Sequence, residues 1–90
     1  MTDINRKAWE RYHQENPKVW ALFERFTLEA INAGFQHYST NSIIERIRWH
    51  TNIETRGDMF KINNNHAPYY AREFHKRYPQ HDGFFRMRNA

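Results

Sequence analysis

The residues from Asn63 to Lys76 have the types and spacing that suit a nucleic-acid contact. Positions three and four apart share one face of a helix, and here that set comprises Asn65, Tyr69, Arg72 and Lys76. Asparagine can form two in-plane hydrogen bonds with an adenine edge, and arginine can do the same with guanine. We therefore expect base contacts from Asn63, Asn64, Asn65, Tyr69 and Arg72.

Basic side chains near this helix are candidates for phosphate contacts, which determine affinity and register. They are Arg46, Arg48, Lys61, Lys76, Arg77, Arg86 and Arg88. The backbone amides at the start of the helix, near Asn65, are a further candidate site for a phosphate. A structural alternative exists for the asparagines, because asparagine caps helices and tolerates left-handed backbone in a turn. For the arginines the alternative is a solvated surface.

The charge of the chain is unevenly distributed. The net charge is +4, with five basic and six acidic residues in positions 1–45 and nine and four in positions 46–90. The basic half contains the candidate helix, which favours an anionic partner, nucleic acid first. The alternative is that a modest net charge serves solubility alone.

Composition limits the class of protein. Ninety residues make a single domain, 1–90, in which the 17% aromatic content supplies a core despite a mean hydropathy of −1.07. There is no cysteine, which excludes disulfides and thiolate chemistry and fits a reducing compartment. No apolar run approaches the roughly 18 residues of a membrane span, and the start of the chain lacks the apolar segment of a secretory signal. We expect a cytoplasmic protein without membrane contact.

Histidines and carboxylates do not form a recognisable catalytic or metal-binding pattern. The six histidines are His13, His37, His50, His66, His75 and His81, and none has a histidine four positions away. Asn65-His66 with His75 superficially resembles an HNH nuclease, but the paired strands and the leading histidine are not evident. A D-x-x-K fragment at Asp58 to Lys61, with Glu54 upstream, is weak support for metal-dependent cleavage. We expect no metal, no cofactor and no enzymatic activity.

Helical periodicity and turn residues predict the elements that position these residues. Thr2 or Asp3 begins a first helix that runs to about His13, and Asn16 caps a second, central helix over residues 17–33 that ends at Gly34. Residues 35–38 fit either a very short strand or an extended link. Ser42 and Glu45 have the spacing of a capping box for a third helix that ends near Thr51.

The last part of the chain is predicted to pair two strands around the candidate helix. Residues 59–62 form the first strand, residues 65–78 the helix, residues 79–83 a turn, and residues 84–88 an antiparallel partner strand. The predicted fold class is α+β, mostly helical, with about four helices and a small two-stranded antiparallel sheet, like a winged helix. It departs from a standard helix-turn-helix, because thirteen residues rather than about 3–4 separate Thr51 from Asn65.

An ordered series of segments resembles a family of small uncharacterised phage, prophage and bacterial proteins. The series comprises Ile44-Glu45-Arg46-Ile47-Arg48-Trp49-His50-Thr51, Phe60-Lys61-Ile62-Asn63-Asn64-Asn65, Tyr70-Ala71-Arg72 and Gly83-Phe84-Phe85 with Arg88. It spans most of residues 17–88. The resemblance implies a phage-related accessory role, such as regulation of transcription or interference with host machinery, and carries over no catalytic residue.

A second functional hypothesis is a protein-interaction module that binds a host protein or a second copy of the chain. Trp49 lies off the apolar stripe of Ile43 and Ile47, so it either fills a second contact or is partly exposed beside neighbouring arginines. Exposed aromatics next to arginine are common anchors of protein interfaces. Trp9, Tyr12 and Trp20 can form a similar patch, but packing of the first helix onto the domain explains Trp9 and Trp20 without a partner.

Overall fold

Four α-helices account for most of the chain that the structure, a computed structural model, describes; the described residues are 4–54, 62 and 64–86. They are α1 (Ile4–Glu15), α2 (Pro17–Asn32), α3 (Thr40–Trp49) and α4 (Ala67–Arg77). A π-helical turn, His50–Glu54, extends α3, and 3-10 turns precede and follow α4 at Asn64–His66 and Pro79–His81. None of the described helices is both long and apolar enough to cross a membrane.

Asn16 joins α1 to α2 in a different way from the one predicted. Its side-chain Nδ2 donates to the carbonyl of Tyr12 at 3.0 Å, and its backbone N–H donates to the same oxygen at 2.8 Å. The side chain therefore closes the end of α1 and makes no capping hydrogen bond to α2. Pro17 still occupies the first turn of α2, where its missing N–H is no loss.

Helix α2 is the central helix, and its C-terminal end is built around Gly34. Gly34 has a φ of 99°, a left-handed conformation that glycine adopts without steric penalty. Its N–H donates to the carbonyl of Ile31, and the N–H of Phe35 donates to the carbonyl of Ala30. These two bonds form a Schellman motif, which satisfies carbonyls at the end of the helix. The prediction of Gly34 as the terminating glycine is confirmed.

The start of α3 lies earlier than the capping box predicted. Ser39 is the N-cap residue, and its side-chain oxygen accepts from the N–H of Ser42 at 3.4 Å. Ser42 is thus the donor in this interaction, and the Ser42–Glu45 capping box is wrong. The inward stripe is confirmed, since the buried residues of α3 are Ile43, Ile44 and Ile47.

The predicted two-stranded sheet is wrong, and so is the winged-helix fold. Phe85 forms a single parallel bridge with Tyr38, whose N–H donates to the carbonyl of Phe84 at 3.2 Å. The N–H of Phe85 donates instead to the ring Nε2 of His75 at 3.1 Å, so it is not available to a strand ladder. Phe84 and Phe85 are both buried, which breaks the alternation of a half-exposed strand. Residues 59–61, 87 and 88 of the predicted strands lie outside the described residues.

Aromatic rings from all parts of the chain meet in the core. Tyr70 of α4 is fully buried, stacks on Phe23 of α2 at 5.4 Å and meets the edge of Trp9 at 5.6 Å. Phe85 also lies 5.4 Å from Phe23, which places the segment after α4 against the central helix. Trp9 and Trp20 are 6% and 7% exposed, so packing of α1 onto the domain explains both, as favoured from the sequence.

Candidate nucleic-acid interface

Helix α4 has one face firmly anchored in the core. Its buried residues are Ala67, Tyr70, Ala71 and Phe74. Tyr78, the C-cap residue of α4, is half-buried and donates a hydrogen bond to Oε2 of Glu24 at 2.7 Å. Tyr70 was missed in the sequence, although it lies three residues after Ala67 and four before Phe74, the spacing of the same face.

The opposite face carries the four residues predicted from helical spacing. Asn65, Arg72 and Lys76 are exposed and Tyr69 is half-buried. The guanidinium carbon of Arg72 lies 5.3 Å from the centroid of the Tyr69 ring, within the range of a cation–π contact. The ring of Trp9 lies 5.9 Å from that of Tyr69, inclined by 23°. Contacts from α1 and from Arg72 therefore constrain the Tyr69 side chain. Asn65, Tyr69, Arg72 and Lys76 are called the α4 stripe below.

Most of the described arginines have a carboxylate partner, but Arg72 and Lys76 do not. Five arginines pair with a glutamate three or four positions away: Arg6 with Glu10, Arg11 with Glu15, Arg25 with Glu29, Arg48 with Glu45 and Arg77 with Glu73. In the part of the chain that the structure describes, neither Arg72 nor Lys76 makes such a pair. No carboxylate of the described residues therefore lies at ion-pair distance from either charge.

Three of the predicted phosphate-contacting arginines make intramolecular contacts. The guanidinium of Arg46 lies 4.3 Å from the centroid of the Phe26 ring, and that of Arg77 lies 4.5 Å from the ring of Trp20. Arg48 pairs with Glu45 and donates to the carbonyl of Ile62 at 2.7 Å. These side chains help to hold the helices together, whatever else they contact.

The remaining predicted site residues fall at the edges of the described chain. Arg86 is exposed just after Phe85. Asn64 lies in the 3-10 turn before α4, but its side chain lies outside the description, as do Lys61, Asn63 and Arg88. The structure thus places Tyr69, Arg72 and Lys76 on one face of α4, with Asn65 exposed in the 3-10 turn that precedes the helix.

The start of α4 is less suited to a phosphate than the sequence indicates. His66 is the N-cap residue and is only 8% exposed, with its ring 5.0 Å from that of Tyr12. Pro68 in the first turn has no N–H, so one donor is missing from the set that usually holds an anion. The candidate interface therefore rests on the side chains of the α4 stripe and not on the backbone amides at the start of α4.

The described histidines do not form a metal site, and three of them are packed against other side chains. Within residues 4–54, 62 and 64–86 no three histidine or carboxylate groups are placed to share a metal ion. Burial lowers the pKa of His13, His66 and His75 below the usual value. His75 accepts from the N–H of Phe85 through Nε2, and its Nδ1 lies 3.8 Å from Oδ1 of Asp82. Asp58 and Lys61 of the D-x-x-K fragment lie outside the described residues.

Large apolar side chains are also exposed away from α4. Trp49 is 57% exposed and Ile53 is 50% exposed. They are four positions apart, at the end of α3 and in the π-helical turn that extends it. Of the two outcomes that the sequence left open for Trp49, the structure has the exposed one.

Comparisons of the chain with protein-family models, with curated proteins and with solved structures find no match. The resemblance to small phage and bacterial proteins, and the accessory role that it implies, therefore stay predictions.

Proposed function

We propose that the protein is a small, non-enzymatic nucleic-acid-binding protein whose contact surface is the α4 stripe. The observation that carries the proposal is the exposed pair Arg72 and Lys76, which has no carboxylate partner among the described residues. By contrast, Arg6, Arg11, Arg25, Arg48 and Arg77 are each paired with a glutamate. Phosphate binding is driven by cations that can release counterions from the nucleic acid, and an uncompensated pair suits this best.

The residues of the α4 stripe divide between the two kinds of contact. Lys76 is a compact charge on a flexible stem, which suits a phosphate oxygen. Asn65 and Arg72 offer paired hydrogen bonds to base edges, and the Tyr69 ring, which Trp9 and Arg72 contact, lies beside Arg72. Arg86 adds an exposed charge in the segment after α4. Duplex DNA is the favoured ligand. The corresponding role is that of a phage-related accessory protein that regulates transcription.

Anchoring of α4 supports the same proposal. Ala67, Tyr70, Ala71 and Phe74 fix the helix against the core, so the opposite face is presented without rearrangement. A preorganised surface loses less conformational entropy on binding. Trp9 stacks on Tyr69 and so also fixes a side chain of the α4 stripe itself.

Fluorescence anisotropy of labelled random duplex DNA, measured at about 50 and 200 mM salt, tests the proposal. We expect micromolar binding that weakens steeply as salt rises. Arg72→Ala should weaken binding more than Arg11→Ala, because each removes one exposed arginine but Arg11 is paired with Glu15. Equal losses for the two variants would indicate that net charge alone drives binding. Absence of binding at the lower salt concentration would exclude this function.

A second candidate function is protein interaction through Trp49 and Ile53. The supporting observation is that these two large apolar side chains, four positions apart, are each at least half exposed. The partner would be a host protein or a second copy of the chain. Analytical ultracentrifugation of the wild type and of Trp49→Ala tests the second copy. A concentration-dependent dimer that Trp49→Ala removes would support self-association. Binding that is insensitive to salt would distinguish protein interaction from nucleic-acid binding.

A further inference from the structure

The contact between α1 and α4 concentrates buried polar atoms that lack a hydrogen-bond partner in the described part of the chain. There are five such side-chain atoms, and all belong to this contact: Trp9 Nε1, Tyr12 OH, His13 Nδ1, His66 Nδ1 and Tyr70 OH. Buried polar groups in native proteins are nearly always hydrogen-bonded. Their accumulation at one interface makes this contact more polar than its aromatic content suggests.

Aromatic rings surround the two histidines of this contact. The imidazole of His13 stacks on Trp9, with 5.1 Å between centroids and a 5° angle, and meets the edge of Tyr70 at 6.1 Å. The imidazole of His66 lies 5.0 Å from the ring of Tyr12. Neither histidine has a described ion pair with a carboxylate that could stabilise its charged form.

The charged groups near these histidines come from α3 and α4. Glu73 and Arg77 of α4 face His13 with opposite effects, and they form a 2.6 Å ion pair with each other. Arg48 of α3 acts on Tyr12, the neighbour of His66. Helix α2 contributes the Trp20 ring, at 6.0 Å from His13. Burial is the main cause of the lowered pKa of His13, with a smaller lowering by Arg77 that Glu73 opposes, and burial also lowers the pKa of His66.

Helix α1 also packs against α2, where the ring of Trp20 lies beside His13, but most of its residues are exposed. Trp9 is its one buried residue, Tyr12 and His13 are half-buried, and the other residues from Ile4 to Glu15 are exposed. Protonation of His66 would place a cation on a ring that is only 8% exposed, and protonation of His13 would charge a half-buried ring stacked on Trp9. Since Trp9 is the one buried side chain of α1, we expect release of this helix to require less free energy than unfolding of the core.

We propose that α1 is a latch released by acid: it docks on α4 while His13 and His66 are neutral and leaves when they are protonated. Release withdraws Trp9 from Tyr69 and exposes the aromatic side of α4 that α1 covers. The latch operates whether or not the α4 stripe binds nucleic acid, because it depends only on the contact between α1 and α4.

Amide hydrogen exchange of the whole protein at pH 7.5 and 5.5, corrected for intrinsic exchange rates, tests the latch. Between pH 7.5 and 5.5, we expect the amide protection factors of α1 to fall at least tenfold more than those of α2. The double variant His13→Gln/His66→Gln should lose this difference, because glutamine does not titrate. His37→Gln is the matched control, since His37 is exposed, and it should behave like the wild type.

Titration of the histidine ring signals by NMR in the wild type gives a measurement that does not depend on a variant folding. We expect His13 and His66 to gain their protons over the pH range in which α1 loses protection. Protonation of both rings while α1 stays protected would overturn the latch. Parallel loss of protection in α1 and α2 would also overturn it, because acid would then unfold the domain as a whole.

Discussion

Arg48 donates a hydrogen bond from its guanidinium Nη2 to the main-chain carbonyl of Ile62 at 2.7 Å. The bond connects the last turn of α3 to a residue that precedes α4. Ile62 is itself buried, at 5% exposure, so the contact fixes the position at which the chain re-enters the core. Glu45 pairs with the same guanidinium. Arg48 was predicted to contact phosphate, and in the folded protein it also helps to position α4.

Replacing Arg48 should therefore lower stability. Arg48→Ala removes a charge-assisted hydrogen bond to a partly buried carbonyl, for which we expect a loss of about 2 kcal/mol in the free energy of unfolding. Urea denaturation monitored by circular dichroism measures it. Arg25→Ala is the matched control, because Arg25 makes only an exposed pair with Glu29 and a contact with Phe26, and should lose about 0.5 kcal/mol. Similar losses for both variants would show that the bond to Ile62 contributes little.

Acid should destabilise the folded protein through its buried histidines. The pKa values of His13, His66 and His75 are lowered by burial, so the unfolded chain binds more protons than the folded one below the usual value of about 6.5. Stability conferred by the neutral rings is complete above that pH and is lost as pH falls from there toward the lowered pKa values. His75 contributes because protonation of Nε2 would remove the acceptor for the N–H of Phe85.

Urea midpoints at pH 7.5, 6.5 and 5.5 measure this dependence. The midpoint should decrease most between pH 6.5 and 5.5. His75→Gln should reduce the dependence, whereas His37→Gln should leave it unchanged, since His37 is exposed. A midpoint that is constant over the three pH values would contradict the assignment of these histidines as neutral in the fold.

Substitution of Gly34 should weaken the end of α2. The φ of 99° is unfavourable for a residue with a Cβ, so Gly34→Ala should cost about 1–2 kcal/mol. Beyond the adjoining residues of the chain, no atom lies within 4 Å of the position that a Cβ would take, which leaves backbone conformation as the cause. Gly34→Asn should cost less, because asparagine tolerates the left-handed region. Chemical denaturation of the three proteins tests the order, and an alanine variant as stable as the wild type would contradict it.

Two tryptophans should respond very differently to truncation. Trp20 is 7% exposed and stacks on Phe23 at 6.1 Å, so Trp20→Ala should lose about 3–5 kcal/mol. Trp49 is 57% exposed, and Trp49→Ala should change stability by no more than about 0.5 kcal/mol. Thermal unfolding compares the two variants. A large loss for Trp49→Ala would place that side chain in the core and remove the basis for an interface there.

Local signals in the sequence predicted the helices better than their boundaries. Pro17 and Gly34 bracket α2 because each has a backbone preference that operates without tertiary help. The N-cap residues were harder to predict, since several residues near a helix boundary can act as the cap. Asn16 is the N-cap residue of α2, but its side chain bonds to the end of α1, and Ser39 rather than Ser42 is the N-cap residue of α3.

For the candidate site, helical spacing alone was enough to group Asn65, Tyr69, Arg72 and Lys76 on one face. Spacing does not determine which cations remain uncompensated, because that depends on the positions of glutamates and aromatic rings in three dimensions. Arg46, Arg48 and Arg77 have the same chemistry as Arg72 in the sequence. In the fold they contact Phe26, Ile62 and Trp20, which lie on other elements, whereas Arg72 contacts Tyr69 of its own helix.

The sequence by itself determined the mostly helical character, the buried stripe of α3 and the amphipathic pattern of α4, because these follow from periodicity within single helices. Tertiary structure decided that Phe84 and Phe85 pack in the core and do not form a paired strand. An apolar pair followed by a basic residue suits a strand, but His75 and Tyr38 take the hydrogen bonds that a partner strand would need, and the core buries both rings. Pairing of strands depends on residues far apart in the chain, so local pattern could not exclude this arrangement.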